Sequence, residues 1–372
     1  MLPEKSSRIL IAPLDWGLGH ATRCIPIINE LLNAGCEIII ASSGQTKRLL
    51  EQEFPGVRML ELPGYRISYS RAGRFNLFRI ISQVPKILIQ IRREKKWLGD
   101  LISREKPDAL ISDNRYGLYS SRITSIFITH QLHIEAPFGK LIAKKLLRLN
   151  YRFINRFSLC WVPDFAEGDV LSGKLGHPDN PPQIPVRYIG PLSRFKILSE
   201  EQITKDLIVI LSGPEPQRTV FEARVLEQLK NYKGTVIMVR GLPGNVEVPI
   251  LSSNILIYNH LASDELNRAI CQSEWVISRS GYSTVMDLVV LGKKSIMVPT
   301  PGQPEQEYLA EYLFEKKVAY RVKQDEFLLQ ESLDLAKKFP FVLFKRSGPD
   351  LLSPAIEELI NRIDKKRTKN YN

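Results

Sequence analysis

Two glycine-bearing strings hold the residues best suited to chemistry. The first, Trp16 to Arg23 (WGLGHATR), follows the apolar run Arg8–Leu14. Gly17 and Gly19 sit where a strand would turn into a helix, and glycine there permits a tight turn and the close approach of a phosphate or sugar. His20 falls at the start of that helix. A positive helix terminus lowers the proton affinity of an imidazole and favours the neutral form, which can act as a base. The competing role is a histidine that only caps the helix or packs in the loop. A dinucleotide fingerprint is disfavoured. The third glycine of G-x-G-x-x-G is Thr22, and the second strand ends Ile40-Ala41-Ser42-Ser43 with no acid for a ribose.

The second string is Ser278 to Asp287 (SRSGYSTVMD), again directly after a strand and opening a helix. Ser280 and Gly281 lead into the amides of Tyr282, Ser283 and Thr284, which could cradle a phosphate at the helix N-terminus. Asp287 falls in the first turns, where its carboxylate could accept both hydroxyls of a nucleotide ribose. An N-capped surface helix with an acidic first turn would look the same. Further on, Val298 to Tyr308 (VPTPGQPEQEY) could set Gln306 and Glu307 over a sugar, or be only a loop before a helix.

The elements that must position these strings alternate along the chain. Strand-like runs occur at Arg8–Leu14, Glu37–Ala41, Val57–Leu62, Ala109–Ser112, Ser125–Thr129 and Ser158–Val162, with helical stretches between several of them. His177 to Pro191 (HPDNPPQIPVRYIGP) has linker composition. The alternation restarts with Leu207–Leu211, Thr235–Val239, Ile255–Tyr258, Trp275–Ser278 and Ser295–Val298. Strand, crossover, strand predicts parallel sheets with helices on both faces. The expected architecture is α/β, with Rossmann-like domains at 1–180 and 181–350 and a C-terminal helix and charged tail at 351–372. The helix is expected over Ser353–Ile363, with DKKRTKNYN frayed.

Together these strings resemble glycosyltransferase family 28, the MurG-type enzymes of the GT-B fold. That fold implies two Rossmann-like domains facing each other across a cleft. The family's loop after the first strand is similar to Gly17, Gly19 and His20, and its S-R-x-G-x-x-T-x-x-[ED] segment is similar to Ser278, Arg279, Gly281, Thr284 and Asp287. The resemblance implies ribose binding by Asp287 and donor-sugar contacts from Gln306 and Glu307, although the family has a second glutamine where Glu307 stands. The family's diphosphate loop corresponds to Leu211 to Arg218 (LSGPEPQR), where two prolines lack an N–H. Ser212, Gly213 and Arg218 would have to compensate.

Asp113, in LISDNRYG, would share a sheet edge with His20 in a doubly wound order. Plant small-molecule glycosyltransferases orient a loop histidine with an aspartate in a comparable loop, and a carboxylate there fixes the tautomer and stabilises the imidazolium. An Asp capping the next turn is the plainer role. G-x-G-H-x-x-R also resembles nucleotide-sugar hydrolases of the pseudaminic acid pathway, through Gly17, Gly19, His20 and Arg23. The reading is therefore a transferase moving a hexose-type sugar from a nucleotide sugar to an acceptor hydroxyl, a lipid-linked one being an option. A hydrolase is the alternative, and a non-catalytic nucleotide-sugar-binding or membrane-scaffold subunit is a second.

Composition narrows the partners. Lys plus Arg outnumber Asp plus Glu by 52 to 40, a net charge of +12 that favours an anionic partner. Basic residues mingle with apolar ones at Lys140, Lys144, Arg148, Arg152 and Arg156, and at Arg79, Lys86, Arg92, Arg93, Lys95, Lys96 and Trp97. Such helices suit an anionic membrane surface, or are simply the solvated faces of core helices. No helix-turn-helix, RNP-like or zinc-finger signature speaks for nucleic acid. The cysteines, Cys24, Cys36, Cys160 and Cys271, have no zinc spacing and point to a reducing compartment. His130 and His133 are read as cleft or core residues rather than metal ligands. No D-x-D motif occurs, so neither metal nor cofactor is expected. The N-terminus reads as neither signal peptide nor anchor, and the expected location is cytoplasmic, with peripheral contact at the inner face of the cell membrane as an option.

Overall fold

The computed structural model describes residues 6–65, 84–134, 140–198, 201–242, 244, 246–344 and 350–371. Arg79 lies outside them, as do the side chains of Lys140, Leu141 and Ile142. The described residues fall into two compact units, the first holding 6–65, 84–192 and 350–371, the second 193–344.

In unit 1, β1 (Arg8–Pro13), α1 (Leu18–Asn33), β2 (Glu37–Ser42), α2 (Gly44–Glu53) and β3 (Arg58–Glu61) are followed by α3 (Val84–Glu105) and β4 (Ala109–Asp113). Then come β5 (Thr124–Ile128), α4 (Lys140–Ile154), β6 (Leu159–Val162) and β7 (Val186–Tyr188). The strands form one parallel sheet in the order β3-β2-β1-β4-β5-β6-β7. Strands buried on both faces need unbroken apolar runs, which is why Ile9 to Ala12 and Ala109 to Ile111 carry no polar side chain and are fully buried.

Unit 2 repeats the plan. It runs β8 (Lys205–Ile210), α5 (Gln217–Leu229), β9 (Val236–Val239), β10 (Ile255–Tyr258), α6 (Ser263–Cys271), β11 (Ser273–Ser278) and α7 (Tyr282–Leu291). It ends with β12 (Ser295–Met297), α8 (Pro304–Glu315), β13 (Tyr320–Arg321) and α9 (Leu329–Lys338). Its parallel sheet has the order β10-β9-β8-β11-β12-β13. One face of the sheet packs Leu207, Val209, Trp275 and Ile277 against Phe221, Val225, Phe327 and Leu333.

Two differences from the sequence reading concern boundaries. β7 lies inside the proline-rich linker yet pairs with β6, so the first unit runs to Leu192 rather than residue 180. The C-terminal helix α10 (Leu352–Tyr371) belongs to unit 1 and continues through the charged tail instead of fraying at Ile363. It buries Ala355, Ile356, Leu359 and Ile363 on one face, and Arg367 near its end pairs with Asp108 at 2.8 Å.

In both sheets the chain reverses its winding direction beside the first strand of the unit, between β1 and β4 and between β8 and β11. The crevice outside the carboxyl ends of strands at such a switch point is where open α/β sheets bind ligands. WGLGHATR and Asp113 leave the unit 1 switch point, and LSGPEPQR and SRSGYSTVMD leave that of unit 2.

Candidate active site

In unit 1, Pro13 pairs with Asp113, and the amide of Leu14 donates to the Asp113 carbonyl at 3.0 Å. The end of β4 therefore lies beside the loop that leaves β1. Gly17 caps α1 with φ of 79°, a left-handed conformation that a side chain would strain. The turn brings His20 back over Asp113, with Nδ1 3.1 Å from Oδ2. The Asp113 carboxylate thus faces α1 rather than capping the turn after β4. It is fully buried, whereas His20 keeps 15% of its side chain exposed.

Arg23, one helical turn beyond His20, completes the cluster. Its Nε donates to Asp113 Oδ2 at 2.8 Å, and its Nη2 pairs with Asp113 Oδ1. Nη2 also lies 2.8 Å from His20 Nδ1, and Nη1 lies 3.2 Å from His130 Nδ1. Sequence reasoning gave Arg23 no role, although its i+3 spacing from His20 on a helix was a readable signal. His130 is buried, and His133 donates its backbone N–H to the Leu175 carbonyl at 2.8 Å. Burial lowers the proton affinity of His20, and the charge of Arg23 lowers it further, against the opposing pull of Asp113. For Asp113, burial works toward a higher value, but Arg23 and then His20 outweigh it and hold the carboxyl well below its usual range.

In unit 2, Gly213 follows β8 with φ of +101°, next to Ser212. Gly281 caps α7 in an extended conformation, and the Val285 amide closes the first turn on its carbonyl. Tyr282 is buried, while Ser283 and Thr284 are half-buried. Asp287 stands one turn further and is also half-buried. Its Oδ1 accepts the hydroxyl of Ser193 at 2.6 Å. Burial pushes the Asp287 carboxyl up to about 7, against the Ser193 hydrogen bond and the charge of Arg194.

Three residues expected at the donor also make contacts within the chain. Arg218 is buried among partners from its own neighbourhood. Nε meets Glu215 at 2.5 Å, Nη1 meets Glu222 at 2.5 Å, and Nη2 donates to Thr219 at 2.7 Å. Glu215, just before α5, and Glu222, one turn along it, stand at i−3 and i+4 from Arg218, within reach of its side chain. Gln306 accepts the Thr300 amide at 2.9 Å and donates to Gln303 at 2.7 Å. Its carbonyl takes the Ser280 hydroxyl at 2.7 Å, and Glu307 accepts the Gly302 amide at 2.8 Å. Gln306 and Glu307 thereby shape the loop after β12 and tie it to the start of α7.

Arg279 is a further brace that sequence reasoning left without a role. It is buried, with its guanidinium over the Phe221 ring, and donates to the carbonyls of Val298, Pro299 and Gln217 and to Gln324. Burial lowers its pKa to about 10. It joins the loops after β11 and β12 to the start of α5, which fixes the rim of the unit 2 crevice. Among the described residues, no group of His, Cys, Asp and Glu is arranged to hold a metal ion.

Residues 220–347 match the glycosyltransferase family 28 C-terminal domain. An uncharacterized glycosyltransferase of Methanosarcina acetivorans is 27% identical over 317 residues, covering 81% of each chain. The UDP-N-acetylglucosamine--N-acetylmuramyl-(pentapeptide) pyrophosphoryl-undecaprenol N-acetylglucosamine transferase of Rickettsia canadensis is 22% identical over 379 residues, 92% of this chain and 97% of its own. Among solved structures, MurG of Acinetobacter baumannii superposes with a TM-score of 0.55 at 13% identity, over 96% of this chain and 100% of its own, a likeness of fold. By its fold and its C-terminal domain, the chain is a glycosyltransferase of the GT-B type, with the family 28 domain at residues 220–347.

Proposed function

We propose that the protein transfers a hexose-type sugar from a nucleotide-sugar donor to an acceptor hydroxyl, without a metal ion. The observation that carries this reading is the contact of His20 with buried Asp113 at the unit 1 switch point. In this mechanism His20 takes the acceptor proton at Nε2, and the acceptor oxygen bonds to the anomeric carbon as the bond to the diphosphate oxygen breaks. Asp113 steadies the imidazolium. Unit 2 holds the donor. Asp287 accepts the ribose hydroxyls, and the amides of Tyr282, Ser283 and Thr284 at the start of α7, with Ser212 and Gly213, meet the charge of the leaving diphosphate.

The acceptor we propose is lipid-linked. The Rickettsia relative is named for a pyrophosphoryl-undecaprenol substrate, which supports this choice. So do Lys144, Arg148, Arg152 and Arg156, all exposed along or just beyond α4. Arg92, Arg93 and Lys96 on α3 are exposed as well, but Trp97 packs against the sheet core and Lys95 lies over the Tyr119 ring, so that face is only partly available. Among the described residues no helix is long and apolar enough to cross a membrane, so the proposed contact is peripheral, at the cytoplasmic face of the cell membrane.

The test is release of nucleoside diphosphate from UDP-, dTDP- and GDP-sugars, with and without a polyprenyl-phosphate acceptor. Transfer predicts release that depends on the acceptor. Free sugar at full rate without any acceptor would contradict transfer and favour hydrolysis.

A further inference from the structure

We propose that Arg23 is a positioning residue that sets the tautomer of His20: it donates to Nδ1, so the ring proton sits on Nε2. This inference rests on the base reading of His20 and deepens it.

Nδ1 of His20 has two polar neighbours, Arg23 Nη2 at 2.8 Å and Asp113 Oδ2 at 3.1 Å. One ring nitrogen of a neutral imidazole either donates or accepts, and a guanidinium only donates. A proton on Nδ1 would set two N–H groups against each other at the shorter of the two contacts. Asp113 has no need of that proton, because Arg23 already serves both its oxygens, Oδ2 through Nε at 2.8 Å and Oδ1 through Nη2. Nη2 carries two hydrogens, one for Oδ1 and one for Nδ1. Nη1 faces His130 Nδ1 at 3.2 Å. The guanidinium is 2% exposed and the carboxylate is fully buried, so the pair is locked and His20 adapts to it. Among the described residues, ionisable groups facing the cluster include Cys24 on α1, with Sγ 3.9 Å from Asp113 Oδ2, and His130 just after β5.

An Nε2–H group donates a hydrogen bond and cannot take a proton. To become a base the ring must exchange tautomers: the Nε2 proton leaves to water, a water proton arrives at Nδ1, and the new Nδ1–H turns to Asp113. The net charge is unchanged. Arg23 Nη2 must give up Nδ1 as this happens. In this tautomer the ring is not poised to activate water.

The experiment uses the full chain with 15N-labelled histidine and long-range 1H–15N correlation spectra, recorded above the titration of His20, where protonated and bare ring nitrogens are distinct. The signals lost in His20→Gln assign the residue. The wild type is expected to show Nε2–H. Arg23→Met is expected to move the proton to Nδ1 and raise the His20 titration midpoint by about 1–3 pH units, since Asp113 then has the imidazole as its charged partner. Nδ1–H in the wild type overturns the proposal whether or not Arg23→Met folds. An unchanged Nε2–H in folded Arg23→Met overturns it too. Wild-type turnover in His20→Ala would instead refute the base reading and leave the tautomer result standing, so the two failures are distinguishable.

Discussion

Ser193, the first residue of unit 2, donates its hydroxyl to Asp287 Oδ1 at 2.6 Å across 94 residues of sequence. The bond orients a carboxylate that burial has made reluctant to ionise, pushed up to about 7 from the ordinary 3.8. Ribose hydroxyls donate to the ionised form, so nucleoside diphosphate affinity is expected to rise between pH 6 and 8, measured by calorimetry. Asp287→Ala should weaken binding by ~1.5–3 kcal/mol, the range for hydrogen bonds to a charged group. A flat pH profile together with unchanged affinity in the variant would remove Asp287 from the donor site.

The same shift has a stability consequence of opposite sign. A carboxyl whose folded value is raised favours the fold most below its unfolded value and loses that contribution as pH rises through about 7. Asp287→Asn removes this loss. Its thermal midpoint relative to wild type should therefore increase from pH 5 to pH 8, and a constant difference would contradict the assignment.

Glu222 holds both Arg218 and Arg240 in a buried triad. Truncating one partner of a buried ion pair leaves uncompensated charge and costs about 3–5 kcal/mol. Urea unfolding of Glu222→Ala should show a loss of this order. A loss below about 1 kcal/mol would mean that water already reaches the two guanidinium groups.

Most of the fold was legible because the central strands of each sheet are buried on both faces and are near-continuous apolar runs. The exceptions were short. β7 has three residues among prolines and glycines, and β13 has two. The tail after Ile363 reads as frayed because its charges announce solvent, while the pairing of Arg367 with Asp108 on the far side of the sequence is invisible there. Of the site, the two glycine strings stood out by type and spacing. Their partners did not. That Asp113 meets His20 depends on β1 and β4 being neighbours, a fact of topology rather than of local sequence. That Arg218 meets both Glu215 and Glu222 depends on side-chain rotamers that the local sequence does not display.

The exposed lysine and arginines of α4 should give weak, salt-sensitive binding to anionic vesicles. Each basic residue near such a surface contributes about 1 kcal/mol. Lys144→Gln, Arg148→Gln and Arg152→Gln together should cut co-sedimentation with anionic lipid at least tenfold at low salt. Equal partitioning to neutral and anionic vesicles would shift the acceptor toward a soluble molecule.

The central claim is that His20 is the base of a glycosyl transfer. It is tested most directly by measuring turnover and nucleoside diphosphate affinity side by side in wild type and His20→Ala. The expected result is donor affinity within about twofold of wild type and turnover lower by roughly 10²–10⁴-fold, the usual contribution of a positioned general base. Wild-type turnover in the purified, folded variant would contradict the account and leave His20 a structural residue.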